Sequence, residues 1–255
     1  MRPVMIIARN TFSEIIRDRI LYGLVVFALL LIGVSLALGQ LSFSEQGRIS
    51  INFGFSSIHL SAVVMAIFLG STLVSKEIDK KTIMTLLVRP INRFQFLLGK
   101  CVGLVAVILV LVLGLAAVLA LVCWGLKIPP TAVFFVGLYG IFLEALVLLG
   151  ITICFSTFTR PVLVVVFSIG IFLIGHWLDD LLFFAEKSDS YMFVAASEVI
   201  TRLFPNLEFY NWRSLFIYQD PVPFRDMSLA SVHALAWFGL SVFVAAFIFR
   251  RRDFV

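Results

Sequence analysis

The chain has 255 residues, of which 61% are hydrophobic and 14% charged, with a formal net charge of +5 and a mean hydropathy of +1.08. Soluble domains carry about 25% charged residues, so the composition excludes an ordinary water-soluble enzyme and marks an integral membrane protein. A pI near 9.3 does not argue for nucleic acid, because the basic residues gather at the borders of apolar segments.

Residues 1–19 carry an amphipathic stretch. In VMIIARNTFSEIIRDR (4–19), Met5, Ala8, Phe12, Ile15 and Ile16 share one helical face, while Arg9, Ser13, Glu14, Arg17 and Asp18 share the other. A helix divided this way lies in the membrane interface with its arginines near anionic headgroups. The plainer reading is a short lead-in to the first span. An apolar stripe continuous over three turns favours the interfacial helix.

At about 1.5 Å per residue, about 20 apolar residues cross a hydrocarbon core of about 30 Å. Stretches at 20–39, 55–74, 97–124, 131–156, 161–178 and 229–249 meet that requirement. A seventh, over 178–200, is rejected because Asp179, Asp180, Glu186, Lys187 and Asp189 interrupt it. The first span is too long for a signal-peptide core and is followed by no Ala-x-Ala-like site. The expected fold is an all-α membrane protein of six transmembrane helices preceded by an interfacial elbow helix. Its divisions are the elbow (1–19), spans one and two (20–74), a charged loop (75–96), spans three to five (97–184), an extracytoplasmic surface segment (185–227) and the last span with a basic tail (228–255).

Six spans put both termini on one side. That side takes fourteen of the twenty lysines and arginines and the other side six. By the positive-inside rule both termini and the 75–96 loop are cytoplasmic.

The loop SKEIDKKTIMTLLVRPINRFQFLLGK (75–100) concentrates six basic residues in one place. Ser75 is a candidate N-cap, with Glu77 and Asp79 in the first turn where the helix dipole favours negative charge. Pro90 forces Arg89 out of the helical region and ends the element. Asn92 then caps a second helix running into the third span. A lipid-facing basic loop would explain the lysines, but not the acids, the proline bend or the threonines at 82 and 85.

This segment resembles the loop after the second span of ABC-2 type permeases, the membrane subunits of ATP-binding-cassette exporters. The matching positions are Glu77, Asp79, Thr82, Leu86, Leu87, Pro90, Arg93, Gly99 and Lys100; Lys81 stands where the family has a glycine. ARNTFSEIIRDRILYGLVVFALLL near the start and FRRRDF near the end are similar to the same family. The resemblance implies an elbow helix using Arg9, Phe12, Glu14 and Arg17. It also implies a coupling helix, using Lys76, Glu77, Asp79, Lys80, Thr82, Arg89, Pro90 and Arg93, seated on a separate P-loop ATPase. ATP and magnesium would belong to that partner, with no cofactor in this chain. A second copy of this or a similar permease and the lipids of a bacterial-type inner membrane complete the expected partners. The sequence itself has no G-x-x-x-x-G-K-[ST], since Gly99–Lys100 is followed by Cys101.

Glu144 falls in the middle of the fourth span. An intramembrane carboxylate is costly unless protonated, paired or facing a cavity. It is therefore either a translocation-path residue or a neutral acid hydrogen-bonded to a neighbouring helix. His59, His176 and His233 sit toward the outer ends of spans two, five and six, and His176–Asp180 is an i,i+4 pair that could hold a metal. Headgroup-level histidines without a ligand are the plainer reading. Cys101, Cys123 and Cys154 form no CxxC pair and read as apolar packing. The aromatic-rich 185–227 segment reads as one or two short helices on the outer surface, either a contact surface or a simple lid. A stand-alone carrier or channel built on Glu144 is the alternative function. It would call for internal repeats and several buried charges.

Overall fold

The structure, a computed structural model, describes residues 2–40, 46–79, 92–128, 130–213, 215–218 and 221–251. Among these, every regular element is helical. In hydrocarbon each backbone N–H and C=O needs a partner, and a helix supplies it within one segment. In chain order the elements are α1 (Arg2–Ile16), α2 (Arg19–Gln40), α3 (Gln46–Asp79), α4 (Arg93–Gly125), α5 (Ala132–Ser156), α6 (Pro161–His176), α7 (Leu178–Glu186), α8 (Tyr191–Leu203), a 3-10 turn (Glu208–Tyr210), α9 (Leu215–Tyr218) and α10 (Phe224–Arg251).

Four helices, α3, α4, α5 and α10, are long and apolar enough to cross a membrane. The number is six if the bent pairs α1–α2 (59°) and α6–α7 (46°) each count as one span. With 16 residues, α6 rises only about 24 Å and continues past the bend as α7. The bend in the first pair falls at Arg17–Asp18, between Ile16 and Arg19.

At the centre stands α5. Ala145, Val147, Leu148, Leu149 and Ile153 are fully enclosed there, as expected of a helix apolar on every side. Packed around it are α3, α4, α6 and α10. Val162 of α6, Leu121 of α4 and Phe243 of α10 are more than half exposed and form the apolar rim that faces lipid. Several buried hydroxyls are satisfied on their own helices: Ser57 donates to the Phe53 carbonyl, Ser61 to Ser57 and Thr152 to Leu148.

The elbow packs differently from its sequence pattern. Ala8, Thr11 and Ile15 are buried, whereas Met5 and Ile6 are each 68% exposed. The buried set lies on the start of α4, where Gly99 and Gly103 let the two backbones approach. A Cβ at Gly103 would lie 2.7 Å from the Ala8 carbonyl oxygen, and one at Gly99 2.9 Å from that of Val4. Part of the amphipathic face therefore serves the protein rather than the lipid.

Two local expectations change. Ser75 does not cap a new helix; it lies inside α3, which continues through Asp79. No glycine or proline separates Val74 from Asp79, so extending the existing helix avoids the cost of nucleating another. Asn92 does stand at the N-cap of α4, but with no side-chain cap bond; its carbonyl accepts from Phe96 N–H at 3.1 Å. Lys80, Thr82, Arg89 and Pro90 lie outside the described residues.

Between α8 and α9 the chain turns inward rather than lying on the surface. Leu207, Tyr210, Trp212 and, at α9, Phe216 are buried. This strap is tied to the α6–α7 corner by Leu207 N–H to the Gly175 carbonyl (3.0 Å) and Asn206 Nδ2 to Asp179 Oδ1 (2.7 Å). Phe216 packs on Phe55 and Phe134, with centroids 5.8 and 5.6 Å away. Gly140 admits the strap, since any Cβ there would collide with the Tyr210 carbonyl oxygen.

Candidate functional site

Where the strap enters, four ionisable side chains from four segments meet. Glu144 of α5 is 2% exposed and His59 of α3 is 7% exposed. His59 Nε2 lies 2.8 and 2.9 Å from the two Glu144 carboxylate oxygens. On the other side of the ring, Arg213 Nη1 lies 2.7 Å from His59 Nδ1. His176, the last residue of α6, brings its Nε2 to 3.5 Å from Glu144 Oε1.

The hydrogens follow from what each partner can do. A guanidinium only donates, so His59 Nδ1 accepts and its one hydrogen sits on Nε2. That N–H is shared between the two carboxylate oxygens. Arg213 thus reaches Glu144 through a neutral imidazole, and the chain Arg213–His59–Glu144 balances one positive against one negative charge. The Phe172 carbonyl, 3.1 Å from His176 Nδ1, only accepts, so His176 carries its hydrogen on Nδ1. Its Nε2 is buried and has no hydrogen-bond partner. Phe172 also flanks both rings, at 4.6 Å from His176 and 6.0 Å from His59.

A second polar chain runs beside the first. Trp237 Nε1 donates to His233 Nε2 at 3.1 Å. His233 Nδ1 therefore holds the hydrogen and donates to the Tyr210 hydroxyl at 2.6 Å. Burial, and then the Glu144 charge, push the Tyr210 hydroxyl above the ordinary tyrosine range.

Ligand atoms of His59, Glu144 and His176 all lie within 4.8 Å of one another, and two imidazoles with a carboxylate are a familiar set for a divalent cation. Arg213 opposes that use. While it donates to Nδ1, His59 Nε2 keeps its hydrogen and has no lone pair for a metal. The His176–Asp180 pair considered from sequence is not assembled: the chain bends at Trp177, Asp180 is exposed, and Asp179 accepts from Asn206.

Glu144 was legible in the sequence as an intramembrane acid, but its cationic partner was not. Arg213 is 69 positions further on, and its only sequence signal was to be a base within an aromatic-rich segment. Of the elbow residues, Arg9, Glu14 and Arg17 are exposed and Phe12 is half-buried. Lys76, Glu77 and Asp79 lie on the final turns of α3, and Arg93 opens α4.

A family model described as ABC-2 family transporter protein matches residues 5–254. The chain belongs to that family. Among curated proteins there is no significant match to the sequence. This ABC-2 transporter protein is accordingly an all-helical, multi-pass membrane protein. Membership accounts for the long apolar helices. It does not account for the Arg213–His59–Glu144–His176 cluster, which rests on the geometry alone.

Proposed function

We propose that this chain is the permease subunit of an ABC exporter, moving its substrate with ATP hydrolysed by a separate P-loop polypeptide. The observation that carries the reading is the family match over residues 5–254. It is supported by α3, which runs unbroken from the buried site at His59 to Glu77 and Asp79. A rigid helix of that kind transmits displacement from a docked partner to the centre of the bundle. The 75–96 loop serves as the coupling element, with Lys76, Glu77, Asp79, Lys80, Thr82, Arg89, Pro90 and Arg93 as its contact residues. Both termini are cytoplasmic, the membrane is a bacterial-type inner membrane, and two permeases form one path.

The test is purification of the tagged chain from its native membrane, with mass spectrometry and ATPase assay of the complex. The expected result is a stoichiometric P-loop ATPase whose activity in the complex falls at least tenfold on charge reversal at Glu77 and Asp79, with the permease still folded. A homo-oligomer without an ATPase would overturn the reading and favour a stand-alone carrier. Normal assembly and hydrolysis in the double variant would remove the coupling assignment.

A further inference from the structure

The cluster ends on an unfilled position. His176 Nε2 and Glu144 Oε1 face each other at 3.5 Å, and His176 Nε2 is buried without a partner. Two lone pairs in that position repel. We propose that this gap binds one proton, and that its uptake by His176 releases the strap bearing Arg213 from the bundle.

Charge balance gives the reason. With His176 neutral, Glu144 has a single cation, Arg213, which reaches it through the His59 ring. A proton on His176 Nε2 creates an imidazolium N–H directed at the same carboxylate, and charge-assisted bonds of that kind are the stronger ones. Two cations then share one buried anion. His176 is fixed in α6 and its Nδ1–H stays on the Phe172 carbonyl. Arg213 is half-buried and so already reaches toward the surface, so Arg213 is the group displaced. The proton moves from water to Nε2, and no bond between heavy atoms changes.

The surrounding elements supply no other ready acceptor. On α3, His59 has its Nδ1 lone pair occupied by Arg213. On α10, His233 has one nitrogen on Trp237 and the other on Tyr210. Tyr210 holds its own proton more tightly than an ordinary tyrosine. Glu208 accepts from Asn211 Nδ2 at 2.6 Å, and Asp179 of α7 accepts from Asn206. This inference does not depend on the ATPase partner.

Hydrogen–deuterium exchange of the 206–213 amides tests it, on the full chain in lipid nanodiscs. Measurements at about pH 5.5 and about pH 7.5 bracket the range in which histidine charge changes. After correction for intrinsic rates, the strap is expected to exchange about tenfold faster at the lower pH, a readable sub-global opening. His176→Gln should abolish the difference, and His233→Gln should retain it. Histidine-15N spectra of the unsubstituted chain, which has three histidines, read the protonation directly: His176 gains a second N–H at low pH while His59 keeps Nε2–H. A flat wild-type response, a response that survives His176→Gln, or a His176 ring that stays neutral would each overturn the proposal. So would protection of the strap by added zinc that is lost in His59→Gln, which would assign the cluster to a metal.

Discussion

Arg213 donates to His59 Nδ1 at 2.7 Å, and through that ring a base on the inserted strap neutralises an acid at the middle of the central helix. Neither charge is tolerable alone at that depth. Removing one partner of a buried ion pair costs about 3–5 kcal/mol. Because Arg213 is only half-buried, Arg213→Gln should fall near the low end, about 3 kcal/mol, by reversible SDS unfolding in mixed micelles. A loss under about 0.5 kcal/mol would mean the pair contributes no more than a surface bridge.

Glu144→Gln should destabilise by a comparable amount, since it leaves Arg213 with a neutral dipole. The double variant should be less damaged than the sum of the singles by about 1 kcal/mol or more. Strict additivity in that cycle would sever the proposed link through His59.

Gly140→Val should push the strap out, because its side chain would occupy the Tyr210 carbonyl position. Overpacking of this sort costs about 1–3 kcal/mol. Amide exchange over 207–213 should rise sharply while α4 and α10 remain protected. Unchanged exchange there would contradict the close approach.

Gly103→Leu should detach α1 from α4, with faster exchange across 4–16 and a stability loss of about 2 kcal/mol. The strap and Glu144 should be unaffected. A variant that exchanged like wild type would place the elbow on lipid alone.

Tyr210 supplies a prediction at alkaline pH. Its folded value is raised, first by burial and then by Glu144, so the unfolded chain loses the proton first. The contribution is fully present below about pH 10, the ordinary tyrosine value, and declines as pH rises beyond it. Tyr210→Phe should flatten that part of the stability profile. An unchanged alkaline slope would show that the hydroxyl is not enclosed as described.

Much of the architecture was readable one segment at a time. The fourth stretch, 131–156, coincides with α5 within a residue, because Thr131 and Thr157 bracket a run that is apolar but for Glu144 and a few small hydroxyls. The third stretch begins early as α4 at Arg93, since a membrane helix need not end where its hydrophobicity does. The same principle carries α3 past Ser75: hydropathy marks the bilayer, whereas hydrogen-bond continuity sets the helix end. In 161–178 the apolar run was read as one span, yet it bends at Trp177 where the strap docks on Gly175.

By itself, then, the sequence determined that this chain lives in a membrane, where its helices run and where its basic charges concentrate. Those properties follow from composition and from a local 1.5 Å rise per residue. Only the tertiary structure decided which base answers Glu144, which tautomer His59 adopts and why His176 keeps a free nitrogen. Arg213 meets His59 across 154 positions and Glu144 meets it across 85. No periodicity links residues so far apart; their pairing comes from the cost of leaving any one of them uncompensated inside the bundle.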